Sequence, residues 1–218
     1  FWIRVYSEIS TSEGFLHDEH DLGVVYRKLK FRPDVRPTER REAVDAERAN
    51  IQAMLERLAA GTSSLTEDEK AIARAFGPGA SPARYRQASE GVRFQLGQAD
   101  RFREGLLRSG TWEAHIADTF ANLGLPPELS ALPHVESSFD PTAYSKVGAA
   151  GLWQFMRATG RRFLRIDDAV DERFDPFRST EAAAQLLDYN YRLLGSWPLA
   201  LTAYNHGAEG MRRARDAS

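Results

Sequence analysis

The chain has 218 residues and a formal net charge of −2, so it is long enough to bury a sizeable core, as one domain or as one domain with an appended lobe. The near-neutral charge gives no electrostatic attraction to nucleic acid or to an anionic membrane, and no apolar run reaches the roughly 18 residues that would indicate a membrane span. The sequence contains no cysteine, which excludes disulfides and thiolate metal sites.

The first 32 residues favour a small β-hairpin. Segments 1–6 and 22–26 are rich in β-branched and aromatic residues, and the stretch Ser10–Gly14 between them has the composition of a turn. The run from His17 to Asp21 contains potential metal ligands. We expect these consecutive residues to lie in a turn with their side chains diverging into water, and we predict no metal site there.

From Pro37 onward the hydrophobic spacing is helical. The first helix should end at Gly61, and the next should begin at a capping box formed by Thr66 and Glu69 and end at Gly77-Pro78-Gly79. The apolar face of the first helix has spacings of seven, four and three. It consists of Val44, Ile51, Leu55 and Leu58.

Two more helices are predicted by the same signals. One should end at Gly124, before Pro126-Pro127, and the other at Gly195. Their apolar faces are Ile116, Phe120 and Leu123 in the first, and Ala183, Leu186, Leu187, Asn190 and Leu194 in the second.

Charged residues are sparse between positions 131 and 160, where only Glu136, Asp140, Lys146 and Arg157 are charged, against 28% of the whole chain. Glu136 is therefore expected where water is partly excluded. A carboxyl group in such a place keeps its proton to higher pH, which a general acid near neutral pH requires. Asp140 precedes a proline and is better explained as a turn residue.

Groups suited to a neutral ligand accompany Glu136. Such groups are hydroxyls, amides and glycines that allow close backbone approach, and they match a ligand rich in hydroxyl and amide groups, such as an N-acetylated sugar. They are Ser137, Ser145, Gly148, Gly151, Gln154, Tyr204 and Asn205. Taken singly, each has a structural explanation as a helix end, a turn or a cap.

Two other patterns carry less weight. His134 and Glu136 match the first half of the zinc-deaminase motif, but its second half requires two cysteines. Arg161, Arg162 and Arg165 could bind acidic groups of a substrate, yet a solvated helix face is the more common explanation of such a trio.

Three segments carry a family resemblance: Glu136-Ser137, Gly151-Leu152-Trp153-Gln154 and Ala203-Tyr204-Asn205. Their order and spacing resemble those of family 1 lytic transglycosylases, and the resemblance covers about residues 127–214. It implies a mainly α fold, with a goose-lysozyme-like helical catalytic domain at residues 110–218. The preceding residues 1–109 would form a small β-hairpin and a helical extension.

The resemblance also implies a reaction. Such enzymes cleave the β-1,4 bond between N-acetylmuramic acid and N-acetylglucosamine in peptidoglycan glycan strands and leave 1,6-anhydromuramic ends. We expect a monomer without metal or cofactor, in the bacterial periplasm or cell envelope, with any membrane anchor supplied by a segment outside this sequence. The family's downstream tyrosine motif and peptidoglycan-binding repeats are not found among these 218 residues.

The resemblance assigns roles to the matching residues. Glu136 would be the single catalytic acid and base, Ser145 would lie beside it, and Tyr204 would support it. Gln154 would contact an acetamido group or the glutamate side of the cleft, and Asn205 would shape the binding wall. Ser137 and Gly151, from the same motifs, are expected to contact substrate.

Two alternatives remain at this point. The same scaffold could carry a hydrolytic muramidase or chitinase-like glycosidase, or a non-catalytic peptidoglycan-binding module. Replacing Glu136 separates an enzyme from a binder, and product mass separates the two enzymes, because an anhydro end lacks one water.

Overall fold

The structure is a computed structural model that describes residues 1–217, so Ser218, the last residue of the predicted catalytic domain, lies outside the described part. The chain divides into two compact units, Phe1–Phe102 and from Arg103 onward. The predicted division after residue 109 falls later, at the end of helix α5 (Ala99–Ser109), which spans the boundary. The two units are described separately.

The first unit combines an antiparallel sheet with helices. The strands are β1 (Glu13–Asp18), β2 (Val25–Lys30) and β3 (Val92–Leu96), in the order β2-β1-β3. The helices are α1 (Trp2–Ser7), α2 (Pro37–Ala59), α3 (Glu67–Phe76) and α4 (Pro82–Glu90). In the central strand, Phe15 lies opposite Lys28 of β2 and Gln95 of β3.

The predicted hairpin was wrong in its first strand. Residues 1–6 lie mostly in helix α1, where Val5 is fully buried while Ile3 is exposed, and Arg4 pairs with Glu8 one turn later at 3.1 Å. A short helix can pack on a core through one buried residue per turn, here Val5. This tertiary contact overrides the strand propensity of the segment. The strand that pairs with β2 instead begins at Glu13, inside the predicted turn.

His17 and Asp18 were predicted to face water, but they end strand β1 and are buried. The carboxylate of Asp18 is 0% exposed and accepts hydrogen bonds from Arg84 at 2.7 Å and Tyr26 at 2.8 Å. Burial alone would raise the pKa of Asp18, but these hydrogen bonds, with two from backbone N–H groups, lower it. Asp18 therefore ties β1 to β2 and α4.

The predictions for α2 and α3 are confirmed. The expected face of α2 is buried, and α2 ends at Ala59, two residues before Gly61. At the start of α3, the Thr66 hydroxyl accepts from the Glu69 N–H at 3.2 Å, and the Glu69 carboxylate accepts from the Thr66 N–H at 2.7 Å. Gly77, with φ of +77°, ends the helix.

The second unit is helical and packs around a long central helix, α9 (Pro176–Leu194). The other helices are α6 (Glu113–Asn122), α7 (Leu132–Glu136), α8 (Arg157–Gly160), α10 (Trp197–His206) and α11 (Ala208–Asp216). Helix α9 confirms its prediction, and Gly195 ends it in the left-handed conformation at φ of +75°. Helix α6 buries Ile116 and Phe120 as predicted, but Leu123, expected on the same face, lies past the last helical residue and is 48% exposed.

An irregular segment between α7 and α8 is anchored to this helical core. Trp153 is fully buried, stacks on Phe120 with ring centroids 5.5 Å apart, and donates from Nε1 to the Thr180 hydroxyl at 2.9 Å. The fold is therefore mainly α with a small sheet, as the sequence predicted. Within residues 1–217, no helix is both long enough and apolar enough to span a membrane.

Candidate active site

A cavity of about 300 Å³ in the second unit brings together most of the predicted site residues. The predicted residues that line it are Glu136, Ser145, Gln154, Tyr204 and Asn205. They come from the end of α7, from the irregular segment and from the end of α10. Apolar side chains complete the wall, among them Val147, Met156 and Leu186.

Glu136 is the last residue of α7, and its side chain is partly buried. Burial raises the pKa of its carboxyl group. Within the described chain, no hydrogen bond or ion pair holds this carboxyl group, and no second carboxyl group lines the cavity. The expected apolar surroundings are present in part, because Phe155 lines the cavity, whereas Val135 is 65% exposed and leaves that side of α7 open.

The turn after Glu136 has an unusual backbone. Ser138 and Phe139 have φ of +53° and +55°, a region that costs a residue with a side chain about 1–2 kcal/mol. Arg108 holds the turn through hydrogen bonds to the Ser138 carbonyl at 3.0 and 2.8 Å. Gly105 permits the approach, since a Cβ there would lie 3.0 Å from the same oxygen. These contacts fix the direction in which the chain leaves Glu136.

Gln154 also has a left-handed backbone, with φ of +48°. Its side-chain nitrogen donates to the carbonyl oxygens of Gly151 at 2.9 Å and Ala143 at 3.3 Å. Both N–H groups of the amide are therefore used within the protein. The amide oxygen is left to accept a hydrogen bond from a ligand.

The resemblance implied that Tyr204 supports Glu136, but the structure shows no hydrogen bond between these two side chains. Its hydroxyl donates to the Trp153 carbonyl oxygen at 2.7 Å. Burial and, secondarily, the charge of Glu136 raise the pKa of Tyr204, so the phenol stays neutral. Tyr204 thus acts on the site by joining α10 to the buried segment around Trp153.

Ser145 and Asn205 differ in how they are held. The Ser145 hydroxyl oxygen accepts from the Ala149 N–H at 2.9 Å, while the Ser145 N–H donates to the Ala149 carbonyl at 2.8 Å. The side chain of Asn205 is exposed and makes no hydrogen bond to the described part of the protein. Asn205 therefore has both ends of its amide available to a ligand.

Ser137 and Gly151 are not among the residues that line the cavity, and their contact with substrate stays a prediction. The Ser137 hydroxyl donates to the Leu152 carbonyl at 2.8 Å and so joins the end of α7 to the irregular segment. Gly151 has φ of +77°, and a Cβ there would lie 1.7 Å from the Arg173 carbonyl oxygen. Both residues hold the backbone of the segments that line the cavity.

Arg173, which no sequence pattern indicated, organises the backbone beneath the cavity. It is buried, and its Nη1 donates to the carbonyl oxygens of Gly148 at 2.8 Å and Phe155 at 2.9 Å. Its hydrogen bonds with Asp171 lower the pKa of that carboxyl group. The neighbouring Asp-x-Arg spacing is a local signal, but nothing local shows that the arginine is buried.

The arginine trio does not form a helix face, because α8 ends at Gly160. Each guanidinium has its own partner. Arg161 donates to the Ile166 carbonyl at 3.3 Å, Arg162 lies 4.8 Å from the centre of the Tyr189 ring, and Arg165 donates to Asp167 at 2.6 Å. The trio is thus not a single binding patch.

Comparison with known proteins agrees with this site. The profile of the transglycosylase SLT domain matches residues 116–218. The chain is 38% identical over 110 residues to membrane-bound lytic murein transglycosylase D of Escherichia coli strain K12 and to that of E. coli O6:H1 strain CFT073, covering 50% of this chain and 24% of each relative. It is 35% identical over 97 residues to the transglycosylase of enterobacteria phage PRD1, covering 44% of this chain and 35% of that protein.

The chain thus spans about a quarter of the length of the E. coli relatives. The matched region contains Glu136, the irregular segment and α10, which together form the cavity. Residues 116–218 of this chain therefore belong to the transglycosylase SLT domain family.

Proposed function

We propose that this protein is a peptidoglycan lytic transglycosylase that acts in the cell envelope. It cleaves the β-1,4 bond between N-acetylmuramic acid and N-acetylglucosamine and leaves 1,6-anhydromuramic ends. The observation that carries the proposal is the environment of Glu136: one partly buried carboxyl group with a raised pKa, in a cavity whose described lining contains no second carboxyl group.

A single carboxyl group limits the possible mechanisms. Most glycosidases use two carboxyl groups, one as acid and the other as base or nucleophile. With Glu136 alone, the nucleophile must come from the substrate. Protonated Glu136 gives its proton to the glycosidic oxygen, the bond from C1 to that oxygen breaks, and the sugar's own acetamido oxygen stabilises the cation at C1.

The second step returns Glu136 to its starting state. The carboxylate takes the proton of the C6 hydroxyl of the same muramic ring, and O6 bonds to C1 to close the anhydro bridge. Proximity within one ring replaces an external water, and no water is consumed. The apolar side chains of Val147, Met156 and Leu186 line the cavity, and a sugar that covers them would displace water from the reacting carbon.

The other cavity residues position the sugar. The free amide oxygen of Gln154 suits the N–H of an acetamido group, and Asn205 offers both a donor and an acceptor to hydroxyls. The Ser145 hydroxyl is held by Ala149 and keeps its own proton to donate. Tyr204 stays neutral and shapes the wall. None of these groups needs to transfer a proton in the reaction.

The test is mass analysis of the products released from purified sacculi. A lytic transglycosylase gives anhydro ends, which are lighter by one water than the ends left by a muramidase. Glu136→Gln keeps the shape and removes the acid, so turnover should fall by at least ~10²–10⁴-fold.

Asp140→Asn is the matched control. Asp140 carries the same carboxyl group four residues later, but it accepts from the Thr142 N–H at 2.9 Å and the Thr142 hydroxyl at 2.7 Å, within a turn. This variant should keep near-native turnover. Hydrolysed ends would point to the muramidase alternative, and unchanged turnover of Glu136→Gln would remove the proposed catalytic acid.

A further inference from the structure

Two exposed aromatic side chains of the second unit stack on each other without lining the cavity. Tyr144 is 66% exposed and Phe174 is 39% exposed, and their ring centroids are 6.4 Å apart with 20° between the planes. Rings of this size are usually buried, because they dominate the apolar area of cores and interfaces. Two adjacent aromatic rings that face solvent offer an apolar surface on which the apolar face of a ligand can pack. We call these two residues the aromatic pair.

The aromatic pair borders the cavity. Tyr144 directly precedes Ser145, and its backbone pairs with Ala150, which in turn pairs with Phe155. Ser145 and Phe155 both line the cavity. Two strand spacings place the backbone of Tyr144 about 10 Å from that of Phe155. Val147, which also lines the cavity, lies between Tyr144 and Ala150 in the chain.

Arg173 fixes the pair to the cavity floor. Its guanidinium donates to the carbonyl oxygens of Gly148 and Phe155 and contacts the Tyr144 hydroxyl. Phe174 follows Arg173 directly and lies in the same short helical turn. Arg173 therefore links the aromatic pair to the backbone beside the cavity, and such preorganisation reduces the ordering cost of binding.

We propose that Tyr144 and Phe174 form an additional sugar-binding subsite for the glycan strand outside the cavity. This inference rests on the proposed function, since it takes the polymeric substrate from there. A cavity of about 300 Å³ is at the small end of ligand pockets, so a polymer must continue beyond it. A pyranose ring with equatorial substituents has an apolar C–H face that packs on an aromatic ring, and the Tyr144 hydroxyl can bond its polar edge.

Binding is measured first in the Glu136→Gln background, so that turnover is not needed. The probes are peptide-free glycan strands of increasing length. Replacing Tyr144 and Phe174 together with Ala should weaken binding of long strands about two- to tenfold, the range of one aromatic contact. The shortest oligosaccharide that fills the cavity should bind as before. Tyr144→Phe should keep most of the affinity because it keeps the ring.

Tyr191→Ala is the matched control. Tyr191 is another exposed aromatic residue of this unit, stacked on Trp197 at 4.2 Å and absent from the cavity lining, so its loss should leave binding unchanged at every length. In the active protein, the double variant should raise KM for long strands and leave kcat unchanged on the shortest.

Three outcomes overturn the subsite. Equal losses on short and long strands would mean that the double variant disturbs the cavity itself. No loss on any strand would mean that the aromatic pair does not touch glycan. A loss seen only with strands that carry peptides, beside the exposed Lys146, would assign the surface to the peptide.

These outcomes are separable from a failure of the proposed function. Products without anhydro ends would refute the lytic mechanism while leaving the length-dependent binding result intact. Anhydro products with no length-dependent binding loss would keep the mechanism and remove the subsite.

Discussion

Substitution of Gly151 tests whether the segment 148–155 is held by its packing on Arg173. An ideal Cβ on Gly151 would lie 1.7 Å from the Arg173 carbonyl oxygen and 2.7 Å from its carbonyl carbon. Both are backbone atoms, so no flexible side chain can move aside. The residue also has φ of +77°.

The expected cost of Gly151→Ala has two parts. A side chain in the left-handed region costs about 1–2 kcal/mol. Forcing extra volume into a packed site costs about 1–3 kcal/mol more. We therefore expect the free energy of unfolding to fall by roughly 2–5 kcal/mol. Any shift of Arg173 also weakens its hydrogen bonds to Gly148 and Phe155, so the upper part of this range is the more natural result.

Comparison with Gly124→Ala isolates the steric part of the cost. Gly124 also has a left-handed backbone, with φ of +66°, but its Cβ would meet no atom within 4 Å. This variant should lose only the conformational part, about 1–2 kcal/mol. The two variants therefore differ by the clash with Arg173 alone.

Unfolding in urea followed by tryptophan fluorescence is the assay. Trp112, Trp153 and Trp197 lie in the second unit, so the signal reports mainly on the unit that contains the site. Gly151→Ala should be less stable than Gly124→Ala by about 1–3 kcal/mol. Equal stabilities would refute the close approach of Gly151 to Arg173. A fully stable Gly151→Ala protein that lost only substrate binding would instead support the predicted contact of Gly151 with substrate.

Three further predictions concern the cavity and its surroundings. Because burial raises the pKa of Glu136, turnover should fall as the pH rises through that pKa, and a pH profile that is flat there would contradict the acid role. The raised pKa also means that protonated Glu136 favours the folded state, so the stability of the native protein should decline as the pH rises through it. Glu136→Gln should therefore be more stable than the native protein at neutral pH, with the gain shrinking towards the ordinary glutamate pKa, as thermal unfolding across pH will show. Tyr204→Phe removes the hydrogen bond to Trp153 and leaves that carbonyl unpaired, so unfolding in urea should show a loss of about 1–3 kcal/mol, with a smaller fall in turnover than in Glu136→Gln.

The sequence predicted the local part of the fold well, because the signals that begin and end a helix lie in residues next to its ends. The capping box of Thr66 and Glu69 and the glycine at position 195 fixed two ends correctly. Helix faces followed from spacing alone, as Ile51 and Leu55 illustrate. These signals depend on residues within about one turn of each other, so a single sequence contains all of the information needed.

Contacts between distant residues were not predictable in this way. Strand β3 pairs with β1 although about 75 residues separate the two strands in the chain. The five residues of β3 carry no turn signal that links them to β1. The segment 1–6 has strand-like composition, yet the tertiary position of Val5 made it a helix. Arg173 looked like any surface arginine, although it is buried between two carbonyl oxygens. Packing decides each of these cases.

The sequence predicted several residues that line the cavity, but it did not predict their hydrogen-bond partners. The motifs identified the cavity residues, but Tyr204 bonds Trp153 and not Glu136, and Ser137 bonds Leu152. The left-handed backbones of Phe139 and Gln154 had no sequence signal either, since neither residue type favours that region. A motif records which residues are needed, whereas partner choice depends on atoms brought together by the whole fold.

The pattern of hydrogen bonds supports the proposal that Glu136 serves as both acid and base. The side chains around the cavity are largely committed: Gln154 through its nitrogen, Tyr204 through its hydroxyl and Ser145 through its oxygen. The carboxyl group of Glu136 has no such partner within the described chain, although a partner would stabilise one of its protonation states. A nearby cation would stabilise the carboxylate, and a strong hydrogen-bond acceptor would stabilise the protonated carboxyl group. Burial raises the pKa of Glu136, but no partner in the described chain fixes either protonation state, as the proposed transfer and return of one proton requires.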